Sequence, residues 1–341
     1  MIKGSIFKNI FYFLFIPVFL LEILLFKFFK KQNSHRTYQM MIFLFGKFGG
    51  KFNKILSNFL CVKKNINLDK LETYIENNKK PEQILKELNT DGYSVIKNII
   101  SKEMIKVLKD SIIKTPGVYS SDEFPPESNL TKEFFDIENP KGVRFVYSGT
   151  DLLKNSIIQN LAFDKFFINI AKNYLGCVPV LDIVGAWWSS PSEKPDYTAA
   201  QFWHHDMDRP KWLKIFIYLT DCGEKNGPHE FITGSHKNNG IPKNLRSKGY
   251  IRLDDEIISK YYSKNHIKKF TANEGDLILE DTIGLHKGKQ LLEGRRLMLN
   301  FQYSSCSFGA SLPELKFPEK IGDNLSNIKI NFPDISSKLI G

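Results

Sequence analysis

A histidine and an aspartate separated by one residue, His204 and Asp206 in FWHHD, are the side chains of this sequence best placed to hold a metal ion. On an extended chain, residues i and i+2 point to the same side, so the imidazole and the carboxylate converge on one point. They would supply two ligands of a 2-His-1-carboxylate iron(II) site, which leaves coordination positions open for reactants. The third ligand must come from elsewhere in the chain, and His286 in GDLILEDTIGLHKG is the candidate. Ten residues further on, Arg296 opens the strand-like run RLMLNFQY. Its planar guanidinium suits the far carboxylate of a dicarboxylate co-substrate whose near end chelates the metal. HxD alone is a weak signal. HxD, a distant histidine and an arginine in this order form a more specific one.

Other residues compete for these roles. His205 points away from His204 on a regular strand, which predicts an outer-layer or surface position. Asp208 could pair with it. His229 and His236, in NGPHEFITGSHK, read as residues that hold a turn. Arg295 faces the opposite side from Arg296, so one of the two points inward. Trp187, Trp188 and Trp203 read as core or pocket wall, and Asp281 and Thr282 as residues that orient the His286 loop.

These side chains need a rigid frame. From Val178 onward, short strand-like runs dominate: VLDIVGAWWSS, AAQFWHHD, LKIFIYLTD, DLILED and RLMLNFQY. Glycine and proline turns separate them, and no helical segments lie between, as a parallel sheet would need. The front half is helical. A polar helical pattern covers Asn65–Asn89, Tyr93–Ile96 reads as a strand, and Ser101 caps a helix carrying Met104, Ile105 and Leu108. Residues 111–155 are loop-rich, with Pro116, Pro125, Pro126 and Pro140, and Asp164–Leu175 reads as an amphipathic helix. The fold class is mainly β with a helical front half, an antiparallel sandwich or jelly roll.

Charge and cysteine usage narrow the setting. Residues 1–64 hold eleven basic side chains and one acid, Glu22, so nearly all of the chain's net charge of +11 lies there. The remainder shows no basic stripe, which argues against nucleic-acid binding. The basic residues interleave with Phe, Leu and Ile, a pattern that suits an anionic membrane surface. The apolar run Ile10–Phe26, as a helix, is about 25 Å long, near the thickness of a hydrocarbon core. Pro17 and Glu22 interrupt it, so spanning and dipping both remain open. Lys27, Lys30 and Lys31 stand where the small residues of a signal cleavage site would fall. Tyr38–Leu60 reads as an amphipathic helix that lies on the membrane or packs on the catalytic domain. We therefore expect a membrane-associating segment over residues 1–64 and a catalytic domain over 65–341, on the cytoplasmic face of a membrane. A chain starting near Asn65 would be expected to keep its activity. Cys61, Cys177, Cys222 and Cys306 form no CxxC pair and no disulfide framework.

The stretch from about Leu88 to Tyr303 resembles the phytanoyl-CoA dioxygenase family. LNTDGYSVIKNIISKEMIKVL is similar to the family's opening strand and helix, and QFWHHDMDRPKWLKIFIYLTD to its HxD strand and the strand that follows. NGPHEFITGSHK is similar to its NGP and GSH segment, and EDTIGLHKG with GRRLMLNFQY to its distal histidine and arginine strands. The resemblance implies a double-stranded β-helix, a cupin-like jelly roll. It implies iron(II) held by His204, Asp206 and His286. It implies 2-oxoglutarate held by Arg296, with Tyr218 as an aromatic contact, and O2 as the oxidant. The expected activity is hydroxylation of a small or lipid-like substrate. The alternatives are a non-redox, cupin-like metal protein and a membrane-anchored binding protein with an inactive site. A halogenase is disfavoured because Asp206 fills the position a halide would need.

Overall fold

The computed structural model describes residues 2–76, 78–120 and 131–340, with side chains from Tyr12 onward; Pro125 and Pro126 lie outside the described residues. The strands are β1 (Tyr93–Ile96), β2 (Val118–Tyr119), β3 (Arg144–Tyr147), β4 (Val180–Ser189), β5 (Trp212–Tyr218), β6 (His229–Ile232), β7 (Ile267–Phe270), β8 (Leu277–Glu280), β9 (His286–Gly288) and β10 (Arg296–Ser304). Seven of them form one antiparallel sheet in the order β1-β8-β5-β10-β4-β3-β2, and three form a smaller sheet, β7-β6-β9.

The alternation within these strands explains the two layers. Leu297, Leu299, Phe301 and Tyr303 of β10, with Leu213, Ile215 and Ile217 of β5, face outward. They pack against helices that include Lys102–Ile113 and Lys165–Leu175, whose apolar stripes carry Ile105, Leu108, Phe167 and Ala171. The other side of the large sheet faces the small one, and there Phe216, Tyr218, Ile278 and Met298 meet Phe231 and Phe270. This is the two-sheet sandwich that the resemblance implied. Polar residues share the inner face. Lys214, Glu280, Arg296, Asn300, Gln302 and Ser304 all come from strands whose outer faces are wholly apolar.

The front half departs from expectation in two places. Asn65–Asn89 is not one helix; only Pro81–Thr90 is helical, with Pro81 at its first turn. Before it the chain is irregular, because distant side chains satisfy its backbone: Asn324 Oδ1 accepts from Glu72 N, and Asp164 Oδ2 accepts from Tyr74 N. Tyr38–Leu60 is likewise two helices. Following α1 (Ile2–Phe29), α2 runs His35–Phe48 and α3 Gly50–Leu60. The break is Gly49 at φ 66°, a conformation that costs a side chain dearly. A Cβ there would also sit 2.9 Å from Asn238 Oδ1. The Ser101 cap forms as read, accepting from Met104 N, and Asp164 caps its helix by accepting from Phe166 N.

The N-terminal helices pack on the catalytic body. Phe26 of α1 meets Phe308 edge-on at 5.3 Å, and Met40 and Met41 of α2 are buried in the same cluster. Phe45 of α2 belongs to a second cluster with Trp203 and Met207.

Candidate metal centre

Residues 199–206 do not form the regular strand that AAQFWHHD suggested. Trp203 pairs with Leu253 and His204 with His286, each as a single antiparallel bridge. The chain is nevertheless extended there. His204 exchanges both backbone hydrogen bonds with His286, at 3.0 and 2.9 Å. The HxD segment thus continues the β7-β6-β9 sheet by one rung beside β9, and the i, i+2 geometry survives. Asp206 is fixed next, its N–H donating to Thr282 O at 2.8 Å. The Thr282 hydroxyl accepts from the Trp212 indole at 2.7 Å, and Ser235 Oγ accepts from Leu285 N at 2.8 Å. Thr282 thus holds Asp206 rather than the His286 loop, and Ser235 of the GSH turn supports the segment before His286.

His204, Asp206 and His286 meet with their ligand atoms within 4.8 Å of one another. His286 Nε2 lies 3.7 Å from Asp206 Oδ2, and His204 Nε2 lies 4.0 Å from Asp206 Oδ1. The tautomers follow from hydrogen bonding. His204 Nδ1 is 2.8 Å from Phe202 O and His286 Nδ1 is 3.0 Å from Gly284 O. A carbonyl only accepts, so each Nδ1 carries the proton and each Nε2 presents a lone pair inward. Burial holds both imidazoles below their ordinary pKa, as a metal ligand requires. Burial alone would raise Asp206, but the Lys214 ammonium and then the two imidazoles bring its carboxyl well below the usual range. Two neutral nitrogens and one carboxylate oxygen, buried and converging, fit a divalent metal of the iron class.

Lys214 is a site residue that our reading of the sequence missed. Its Nζ donates to Asp206 Oδ2 at 2.5 Å. The signal was present in LKIFIYL, where a lysine occupies the same face as Phe216 and Tyr218 in a buried strand. Asp206 Oδ1 faces His204 and accepts from the Tyr250 hydroxyl at 3.4 Å.

The two adjacent arginines divide as expected. Arg296 is buried, on the inner face, with Nη2 donating to Ser189 Oγ at 3.3 Å and Nε making no hydrogen bond. Arg295 turns back to Gly294 O at 2.8 Å in an exposed bond. Gly288, two residues past His286, runs beside Arg296 Nη2. Tyr218 is fully buried in the inner cluster, its hydroxyl donating to Phe270 O at 3.4 Å. Trp188 packs in the outer core, stacked on Phe135 at 5.1 Å, while Trp187 lies on the inner side against Phe216.

His205 is not at the surface. It is fully buried against Phe45 of α2, ring centroids 5.4 Å apart, and burial lowers it to about 4. Helix α2 thus walls the metal centre. Burial, followed by the charges of Asp208 and Asp206, also raises the Tyr38 hydroxyl. In this structure the N-terminal helices pack on the catalytic body, and Phe45 covers the His205 side of the site. His229 stays off the metal, with Nε2 2.8 Å from Glu280 Oε2 and its ring stacked 5.6 Å from His286. His236 contributes no atom to the cluster.

One buried ion pair fixes the loop after Asp206. Arg209 Nε and Nη2 donate to Asp182 Oδ2 and Oδ1 at 2.6 and 2.9 Å, and both side chains are fully buried. Asp182 sits where the β4–β10 register shifts, between the partners of Gln302 and Tyr303. Asp182→Asn leaves Arg209 charged and unpaired. We expect a loss of about 3–5 kcal/mol in unfolding free energy by guanidinium titration. A change under about 1 kcal/mol would mean the pair is dispensable.

Comparison with known proteins places the chain. The family model for phytanoyl-CoA dioxygenase (PhyH) matches residues 88–292, more than half of the sequence, and the chain belongs to that family. Ectoine dioxygenase of Stutzerimonas stutzeri (strain A1501) is 24% identical over 237 residues, covering 62% of this chain and 72% of that protein. Among solved structures, HygX from Streptomyces hygroscopicus, with nickel and 2-oxoglutarate bound, is 16% identical. The match covers 70% of this chain and 94% of HygX, with a TM-score of 0.47. EvdO2 from Micromonospora carbonacea var. aurantiaca is also 16% identical, covering 67% and 92%, with a TM-score of 0.45.

Proposed function

We propose that the protein is an iron(II)- and 2-oxoglutarate-dependent dioxygenase that hydroxylates a small or lipid-like substrate. One observation carries the reading: His204, Asp206 and His286 converge with both Nε2 lone pairs presented, beside an inward, incompletely bonded Arg296. Family membership supports it. His204, Asp206 and His286 would hold iron, which with 2-oxoglutarate supplies the oxidation, the co-substrate losing CO2 to become succinate as one oxygen atom enters the substrate. Arg296 and Ser189 take the far carboxylate. Thr282, Trp212 and Lys214 fix Asp206, while Phe45, Trp203 and Met207 keep water from that side. Anaerobic titration of 2-oxoglutarate into iron(II)-loaded protein tests this. A visible charge-transfer band that succinate fails to produce is expected. Iron bound with no such band would favour the non-redox, cupin-like alternative.

We further propose that α1 and α3 seat the protein on the cytoplasmic face of a membrane. Tyr12–Phe29 is long and apolar enough to cross a bilayer by length and composition. One stripe of α1, Tyr12, Phe19, Ile23 and Phe26, is used against the protein. Glu22, costly inside a bilayer, accepts from Ser34 N at 2.7 Å at the start of α2. Phe28 and Phe29 remain 69% and 76% exposed, and Ile55 of α3, next to the exposed Lys54 and one turn from the exposed Lys51, is 66% exposed. This pattern favours an interfacial helix over a span. Co-sedimentation with phosphatidylserine-containing vesicles should survive high salt, because insertion is apolar, and should fall sharply in Phe28→Glu/Phe29→Glu. Wild-type protein left in the supernatant would refute the membrane reading.

A further inference from the structure

Three arginines converge above the metal centre, and the co-substrate needs one. Arg144 on β3 and Arg296 on β10 are both register partners of Ser189 on β4. Directly opposed residues share a face, so Arg144, Ser189 and Arg296 form one row on the inner side, its ends about 10 Å apart by two strand spacings. Arg144 leans over the Trp187 ring at 4.6 Å. Arg252 arrives from the segment that pairs with the HxD chain, next to Leu253, and lies over the rings of Tyr197 and Tyr250 at 5.8 and 5.7 Å. Tyr250 reaches Asp206, which puts Arg252 on the metal side of the pocket.

Neither the Arg144 nor the Arg252 side chain makes a hydrogen bond or ion pair among the described residues, and Arg144 Nε and Arg252 Nη1 are sealed from solvent with no partner. Arg209 shows what a structural arginine looks like here, with Nε, Nη1 and Nη2 all bonded. The one acid whose charge is felt at Arg144, Asp196, turns to its own loop and accepts from Thr198 and Ala199. Burial, then the charges of Arg296 and Arg252, pulls Arg144 down to about 10. Guanidiniums that repel one another, with donors left empty, are a poor structural choice and a good anion cradle. Iron, 2-oxoglutarate, Asp206, Glu280, Lys214 and Arg296 together balance to zero, so no negative charge is left over to neutralise the other two arginines.

We infer that Arg144 and Arg252 form the anion-binding end of the substrate pocket, and that the substrate carries a carboxylate or phosphate group that they grip. This rests on the function proposed above. It also narrows the substrate class to anionic molecules.

Protein loaded with Mn(II) and saturated with 2-oxoglutarate provides the test. Inorganic phosphate and acetate are titrated in, and the metal-induced line broadening of their 31P and 13C signals is followed. The expected result is saturable broadening by at least one probe. Phosphate alone would assign a phosphorylated substrate, and acetate a carboxylate. In Arg144→Gln and in Arg252→Gln the probe's affinity should fall tenfold or more, while 2-oxoglutarate affinity stays within threefold. Arg252→Gln carries the test alone if Arg144→Gln does not fold. Unsaturable broadening, unchanged affinity in the folded variants, or competition between the probe and 2-oxoglutarate would overturn the inference. If 2-oxoglutarate itself fails to bind, the proposed function falls. An arginine-dependent probe signal in the 2-oxoglutarate-free arm would then still support the anion cradle.

Discussion

His286→Ala is expected to abolish turnover and stoichiometric iron binding while the fold persists. The side chain contributes one of three converging ligand atoms, and the other histidines nearby point elsewhere: His229 Nε2 lies against Glu280, and His205 faces Phe45. The frame should survive, because the His204–His286 contact that holds the two segments together is a backbone pair. Loss of a ligand should exceed the roughly 10–100-fold fall in metal affinity that follows loss of an orienting partner. Iron content by colorimetric assay, with unfolding followed by circular dichroism, separates the two effects. His204→Ala and Asp206→Ala should behave alike. His205→Ala should lose packing but retain iron, and an equal loss of iron there would mean that the wrong histidine has been assigned.

Arg296→Ala is expected to raise the KM for 2-oxoglutarate by roughly 30- to 800-fold, corresponding to about 2–4 kcal/mol for a charge-assisted pair in a buried site. The structure places its guanidinium inward with Nε unbonded, ready for a carboxylate, and Ser189 fixes the other branch. Arg296→Lys should rescue only part of the loss, since an ammonium cannot form the planar fork. Arg295→Ala should leave KM within about twofold of wild type, because its one bond is to Gly294 at the surface. The reverse pattern would exchange the two roles.

Much of this site could be read from residue order because its geometry is local. The i, i+2 relation of His204 and Asp206 needs only an extended backbone, and that held even where the strand shrank to single bridges. Strand alternation says that only one of Arg295 and Arg296 points inward, and the family resemblance chose Arg296. What was not legible depends on distant partners. Lys214 is an ordinary lysine until β5 is seen to be buried on both faces. Arg144 and Arg252 lie 108 residues apart in sequence and meet only through Ser189 and the Trp203–Leu253 bridge. For the N-terminal segment the sequence left two placements open, on a membrane or packed on the catalytic domain. Its composition reads as membrane-seeking, and the exposed face of α1 is consistent with that. The packing of Phe45 with Trp203 and Met207, and of the α1 stripe on Phe308, depends on distant partners that composition does not report.

The most direct test of the central claim is the fate of molecular oxygen during turnover of 2-oxoglutarate. Purified protein is supplied with iron(II), ascorbate and 2-oxoglutarate under 18O2, and succinate is analysed by mass spectrometry. The account predicts iron-dependent succinate carrying one 18O atom per molecule, formed slowly without substrate and absent in His286→Ala. Succinate no higher than in His286→Ala, or succinate without the label, would contradict it.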